Sequence, residues 1–163
     1  MRGRLQPFAR LVWSRHADEP HMMAPDHSLL PHVVLVVEDE MMLRMRVVDM
    51  VEDAGYVPVE AVDADEALAI LQSRSDIALM LTDVQMPGSM NGLQLAHAVR
   101  ERWPPIKIIL ASGALKLSGS DIPIDSRFFG KPLQSAEIIA EMRDMLGRTL
   151  NKQGTENTDD SAP

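Results

Sequence analysis

Residues 32–40 read HVVLVVEDE, and this stretch decides the fold class. The run from His32 to Val37 is continuous, apolar and rich in β-branched residues. A strand exposed on one side would alternate, so this pattern belongs to a parallel strand covered on both faces. Such a strand needs helices on both sides, and the chain supplies them in turn. Met41–Ala54 carries Leu43, Val47, Met50, Val51 and Ala54 at helical spacing and closes on Gly55 just past the cap. Tyr56–Glu60 is a short second strand. Asp63, with Glu66 three residues on, opens a second helix through Ala67, Leu68 and Leu71. Ile77–Thr82 is a third strand. Asn91 caps a helix through Leu95, Ala96 and Val99 that Pro104 and Pro105 terminate. Ile106–Ala111 is a fourth strand, Arg127–Phe129 a short fifth, and Ser135–Leu146 a last amphipathic helix with Ile138, Ile139, Met142, Met145 and Leu146 inward and Gly147 after it. Repeated strand–helix alternation implies a doubly wound α/β fold, a parallel sheet with helices on both faces. In such folds ligands bind at the carboxyl ends of the strands.

The strand ends carry a distinctive set of side chains. The first strand ends in Glu38-Asp39-Glu40, the third in Asp83, the fourth in Ser112 and the fifth in Lys131-Pro132. Each has an ordinary reading. Asp39 could cap the following helix, Asp83 could be a turn residue before Met86-Pro87-Gly88, Ser112 could belong to a loop, and Lys131 could be a solvated charge. Their occurrence together at equivalent positions points instead to one site. Neighbouring carboxylates repel one another, and a hard divalent cation relieves the repulsion. Mg²⁺ accepts a few carboxylates, a carbonyl and waters. Asp39 and Asp83 would be direct ligands, Glu38 would act directly or through water, and the backbone carbonyl of Gln85 would add an oxygen. Phosphoryl transfer needs mainly positioning and charge neutralisation. Lys131 would hold a second phosphoryl oxygen, Ser112 would donate to a third, and Asp83 would be the nucleophile, forming an acyl phosphate.

These residues lie in four ordered motifs, VLVVEDE at 34–40, LTDVQMPGSMNG at 81–92, ILASG at 109–113 and FFGKPL at 128–133. Together they resemble the receiver domains of two-component response regulators, over about residues 32 to 147. The resemblance implies the flavodoxin-like five-stranded sheet of strand order 2-1-3-4-5. It makes Asp83 the phosphoacceptor, Glu38 and Asp39 the acidic pair, Ser112 the switch hydroxyl and Lys131 the family's lysine. Phe128 stands where receivers carry an aromatic that rotates inward on activation, and the Lys131–Pro132 bond is expected to be cis. It further implies Mg²⁺ as cofactor and a sensor histidine kinase or phosphotransfer protein as donor. Gln85 and Ala114 would flank the hydrolysis path. Two features depart from the common pattern. Loop 86–91 is one residue longer than usual. The stretch from Ser112 to Lys131 is a few residues shorter, with little helical period in Ala114–Ser126, so the fourth helix is expected to be short, irregular or mobile. These traits resemble alphaproteobacterial stand-alone and hybrid-kinase-linked receivers.

The rest of the chain bounds the reading. With 16 basic and 24 acidic residues the net charge is -8, which disfavours direct nucleic-acid binding. There is no cysteine, which excludes disulfides, thiolate metal sites and a Cys nucleophile. No apolar run reaches the roughly 20 residues of a membrane span, so a cytoplasmic location is expected. Residues 1–30, with Arg2, Arg4, Arg10 and Arg15, are read as a disordered arm or as coding sequence upstream of a start at Met22 or Met23. Residues 31–150 form the receiver domain and 151–163 a disordered acidic tail. With no second domain expected after Leu150, the output would be binding to an unknown downstream protein, or service as a phosphate sink or relay, with a homodimer possible. The chain would catalyse only its own phosphorylation and dephosphorylation. The alternatives are a phosphorylation-independent receiver-like adaptor and a phosphohydrolase of similar topology; Gln85 stands where the hydrolase would need a second Asp. The twelve methionines, including Met41, Met42, Met45 and Met50, are read as core and interface filler, and His97 as solvent-facing. GKP at 130–132 lacks the glycine-rich lead of a phosphate-binding loop.

Overall fold

The computed structural model describes residues 31–113 and 117–147. The elements run β1 (Val33–Val37), α1 (Met41–Asp53), β2 (Val57–Ala61), α2 (Ala64–Ser73), β3 (Ile77–Asp83), α3 (Gly92–Arg102), β4 (Lys107–Ser112), β5 (Ser126–Gly130) and α4 (Ser135–Leu146). All strand pairs are parallel, in the order β2-β1-β3-β4-β5. This is the expected doubly wound sheet.

Every residue of β1 is buried, which is why its apolar run does not alternate. Its odd and even positions feed two separate cores. Val33, Leu35 and Val37 face one side with Met80, Ile108 and Leu110, beneath Ala67 and Leu71 of α2 and Leu95, Ala96 and Val99 of α3. Val34 and Val36 face the other with Leu79, Leu81 and Ile109, against Val47, Met50 and Val51 of α1 and Ile138 and Met142 of α4. Each fully buried Leu, Ile or Met contributes about 1.5–3 kcal/mol of transfer free energy, so the two layers clamp β1 and β3 firmly at the centre.

The local signals place the helix starts. The Asp63 carboxylate accepts the Glu66 N–H at 2.8 Å, and Glu66 reaches back to the Val62 N–H at 2.8 Å. Asn91 and Gln94 close a reciprocal capping box at 2.9 and 3.0 Å. Gly55 takes a positive φ of 89° after α1, as a residue past the cap requires. The Lys131–Pro132 bond is cis.

The structure bears on three of these readings. Asp39 does not cap α1: Glu40 occupies that position and makes no side-chain cap bond. Met50, Met80, Met86 and Met142 are buried, while Met41, Met42 and Met45 are 60, 61 and 53% exposed. Between β4 and β5 the described residues contain no helix. Ser118 and Asp121 form a turn in which the Asp121 carboxylate accepts both the Ser118 N–H at 2.8 Å and its hydroxyl at 2.6 Å. Leu117 and Ile122 pin this segment to the α2–α3 core. This agrees with the expected irregularity of the segment. Residues 114–116, including Ala114, lie outside the described residues, as do 1–30 and 148–163.

Candidate functional site

The parallel sheet brings its five carboxyl ends to one edge, and the central strands place their terminal residues there. β1 runs out at Val37, so Glu38 and Asp39 emerge from the sheet centre; Glu38 N–H makes the last ladder bond, to Ala61 O at 3.2 Å. β3 ends on Asp83 itself, 6% exposed, with Glu38 at 4%. Asp39 is exposed. One carboxylate oxygen from each of Glu38, Asp39 and Asp83 lies within 4.8 Å of the other two. Such spacing is unfavourable for free anions and suits a hard cation with oxygen ligands.

Lys131 enters from β5, two strands away from β3. Its backbone N–H donates to Ser112 O at 2.8 Å, which extends the β4–β5 pairing to the lysine itself. Its Nζ lies 2.8 Å from Glu38 Oε2 and 3.0 Å from Asp83 Oδ2. Burial opposes the lysine charge, but the hydrogen bonds to the two carboxylates outweigh it and hold the ammonium above its ordinary value. Burial pushes the Glu38 carboxyl up, with Lys131 pulling the other way. The other Asp83 oxygen, Oδ1, accepts the Gln85 N–H at 3.3 Å. Ser112, 2% exposed, ends β4 next to this cluster. Phe128 pairs in register with Leu110 and packs, half-buried, on the α2–α3 side of the sheet, the face to which strand alternation also assigns Ser112.

Glu38, Asp39, Asp83 and Lys131, singled out by sequence, thus converge, and Ser112 ends the strand paired with the one that leads to Lys131. Three contributors were not singled out. Thr82 is fully buried, and its hydroxyl donates to Asp83 O at 2.9 Å. Gly92 opens α3 so close to the same carbonyl that an added Cβ would collide with Asp83 O and C. The motif ending at residue 92 contained that glycine, but only the packing shows what it does. Arg44, its side chain 13% exposed, lies behind the acidic loop. It donates to Glu38 O at 2.8 Å and Asp39 O at 3.5 Å, and its Nε lies 3.0 Å from Glu60 Oε2. A lone arginine inside a helical pattern gives no local signal of such partners. His97 is exposed as expected, and its Nε2 lies 3.0 Å from Asp121 O.

Comparison with known proteins places this geometry. The family model described as the response regulator receiver domain matches residues 34–143. The chain belongs to that family. Receiver domains are the phosphorylated, Mg²⁺-binding modules of two-component systems. This receiver is similar to the aerobic respiration control protein ArcA of Escherichia coli, with 35% identity over 125 residues, 74% of this chain and 50% of ArcA. The chain therefore spans about half the length of the curated relatives it first matches. In structure it is similar to a response regulator receiver protein of Sinorhizobium medicae, with a TM-score of 0.68, 27% identity, and 74% of this chain and 98% of that one covered. It is also similar to the response regulator TrrA of Thermotoga maritima, solved in complex with Mg²⁺-BeF, with a TM-score of 0.62, 26% identity, and 71% and 99% covered. Among the described residues of the receiver, no helix is long and apolar enough to cross a membrane.

Proposed function

We propose that this receiver is the phosphoacceptor of a two-component phosphorelay, in which Asp83 takes a phosphoryl group from a phosphohistidine of a sensor histidine kinase or phosphotransfer protein. The observation that carries the reading is the ammonium of Lys131 set between Glu38 Oε2 and Asp83 Oδ2 at 2.8 and 3.0 Å, beside three clustered carboxylates. Glu38, Asp39, Asp83 and the backbone carbonyl of Gln85 are an all-oxygen donor set that would hold Mg²⁺. A cation there supplies charge screening between the Asp83 carboxylate and the phosphoryl oxygens.

An Asp83 carboxylate oxygen attacks phosphorus while the P–N bond to the donor imidazole breaks. The imidazole leaves with that electron pair, and an acyl phosphate forms on Asp83. Lys131 follows the developing charge from the carboxylate to a phosphoryl oxygen. The Ser112 hydroxyl then donates to another phosphoryl oxygen, and Phe128, on the same face of the sheet, moves into the space vacated. The surface around β5, α4 and the helix-free segment before β5 shifts between two populations, biased by the local charge. A downstream protein reads that surface, and two copies of the chain can pair through it. The receiver unit covers residues 31–150 and acts in the cytoplasm.

Acetyl phosphate with Mg²⁺ is expected to give one acid-stable, base-labile phosphoryl adduct per chain by intact-mass spectrometry. The adduct is expected to be absent from Asp83→Asn and from the metal-chelated sample. Its persistence in Asp83→Asn overturns the assignment.

A further inference from the structure

After β1 the backbone crosses from sheet to helix through Glu38-Asp39-Glu40, and two carbonyls on this crossing serve neither a sheet ladder nor a helix. Glu38 N–H closes the ladder on Ala61 O. Glu40 O opens the helix by accepting the Arg44 N–H at 2.9 Å. The carbonyls between, Glu38 O and Asp39 O, instead receive the Arg44 guanidinium at 2.8 and 3.5 Å. The same guanidinium is anchored on its far side by Glu60 at the end of β2, whose side chain is 51% exposed while that of Arg44 is 13% exposed. A planar fork can serve carbonyls and a carboxylate at once, and a lysine ammonium is a single point. The crossing thus carries two acidic side chains toward Asp83 and Lys131, and a cationic strut bonded to the backbone of both.

We propose that Arg44 is a positioning residue for the metal site. It holds the backbone of Glu38 and Asp39 so that both carboxylates stand ready for a divalent cation, and Glu60 holds Arg44. The inference rests on the Mg²⁺ reading above and adds to it the residue that sets the affinity. Groups that orient ligands from behind typically change metal affinity by about 10–100-fold when mutated. Loss of a positive charge near a cation would by itself tighten binding. Arg44→Lys keeps the charge and removes the fork, so it isolates the geometry.

The experiment measures Mg²⁺ binding to the full chain by isothermal titration calorimetry at physiological salt, for wild type, Arg44→Lys, Glu60→Gln and Arg74→Lys. The last breaks a remote surface pairing with Asp76 and reports the cost of an arginine-to-lysine change in general. Arg44→Lys is expected to weaken Mg²⁺ binding about tenfold, Glu60→Gln a few-fold, and Arg74→Lys by nothing measurable. With acetyl phosphate, the Mg²⁺ concentration for half-maximal phosphorylation is expected to rise in parallel, while the rate at saturating Mg²⁺ stays within about twofold of wild type. Glu60 is exposed, so its variant leaves the core intact if Arg44→Lys folds poorly. Unchanged Mg²⁺ affinity in Arg44→Lys, or in Glu60→Gln where the former does not fold, overturns the positioning role and leaves the phosphoacceptor reading standing. Absence of Mg²⁺ binding in wild type itself sinks both.

Discussion

Replacing Lys131 by Met tests the electrostatics of the site without opening a cavity, since methionine keeps most of the apolar stem. The ammonium contacts two carboxylates whose side chains are only 6 and 8% exposed, and is itself 19% exposed. Removing it leaves Glu38 with the Glu40 N–H at 3.3 Å and Asp83 with the Gln85 N–H at 3.3 Å, both long bonds. Breaking a buried ion pair from one side costs about 3–5 kcal/mol. This pocket opens to solvent at one rim, so the lower end applies, about 3 kcal/mol in metal-free buffer. Mg²⁺ and the ammonium compete to neutralise the same oxygens. The variant is therefore expected to gain more from Mg²⁺ than wild type, where a ligand at a hundred times its Kd adds about 2.7 kcal/mol. The gap between the two proteins should narrow by at least about 1 kcal/mol at saturating metal. Urea unfolding followed by circular dichroism, with and without Mg²⁺, reads both quantities. A metal-free loss below about 0.5 kcal/mol, the scale of an exposed pair, or a gap that Mg²⁺ leaves untouched, would refute the argument that this lysine neutralises a shared acidic pocket.

Two further outcomes follow from the packing. Gly92→Ala places a methyl against Asp83 O, so either the start of α3 or the end of β3 must shift; stability should fall by about 1–3 kcal/mol and Mg²⁺ binding should weaken with it, and a variant with wild-type values of both would show that the close approach is not required. Tyr56, the single tyrosine of the chain, is 4% exposed and donates to Gly147 O at 2.9 Å; burial pushes its hydroxyl above the ordinary 10.0, against a smaller opposing pull from Arg143. Because the folded value is raised, the neutral form is favoured in the folded state, and its stabilisation is complete below pH 10 and is lost as pH rises through the folded value. Tyrosinate absorbance should therefore titrate above 10.0 in the folded chain, and Tyr56→Phe should flatten the alkaline loss of stability; a midpoint at or below 10.0 in folded protein would count against the burial account.

What could be read in advance was local or topological. The caps at Asp63 and Asn91 were legible because each partner N–H lies three residues along the same chain. The burial of β1 was legible because five apolar residues without alternation leave no face for water. The meeting of Glu38, Asp39, Asp83 and Lys131 was legible because a parallel sheet delivers all its carboxyl ends to one edge. Other features needed the packing. Asp39 is the better cap by residue type, yet the helix begins at Met41 with Glu40 in the cap position and no side-chain cap bond. Met41, Met42 and Met45 are apolar by composition, yet among the described residues they are exposed. Ala114–Ser126 showed little helical period, so an irregular segment was legible, but the turn found in its described part depends on one Ser118–Asp121 pairing and on where Leu117 and Ile122 find the core.

The order of apolar and polar residues along the chain was enough to set the alternation of strands and helices and to name the charged residues at the strand ends, since periodicity and sheet direction act over a few residues. The distances belong to the tertiary structure. Lys131 meets Glu38 and Asp83 only because β4 spaces β5 at the right reach from β3, and Arg44 meets two carbonyls and Glu60 only because α1 packs across β1 and β2. Those contacts join residues 93, 48 and 16 positions apart, and their geometry is fixed by how two packed layers clamp one sheet, which no local window of sequence contains.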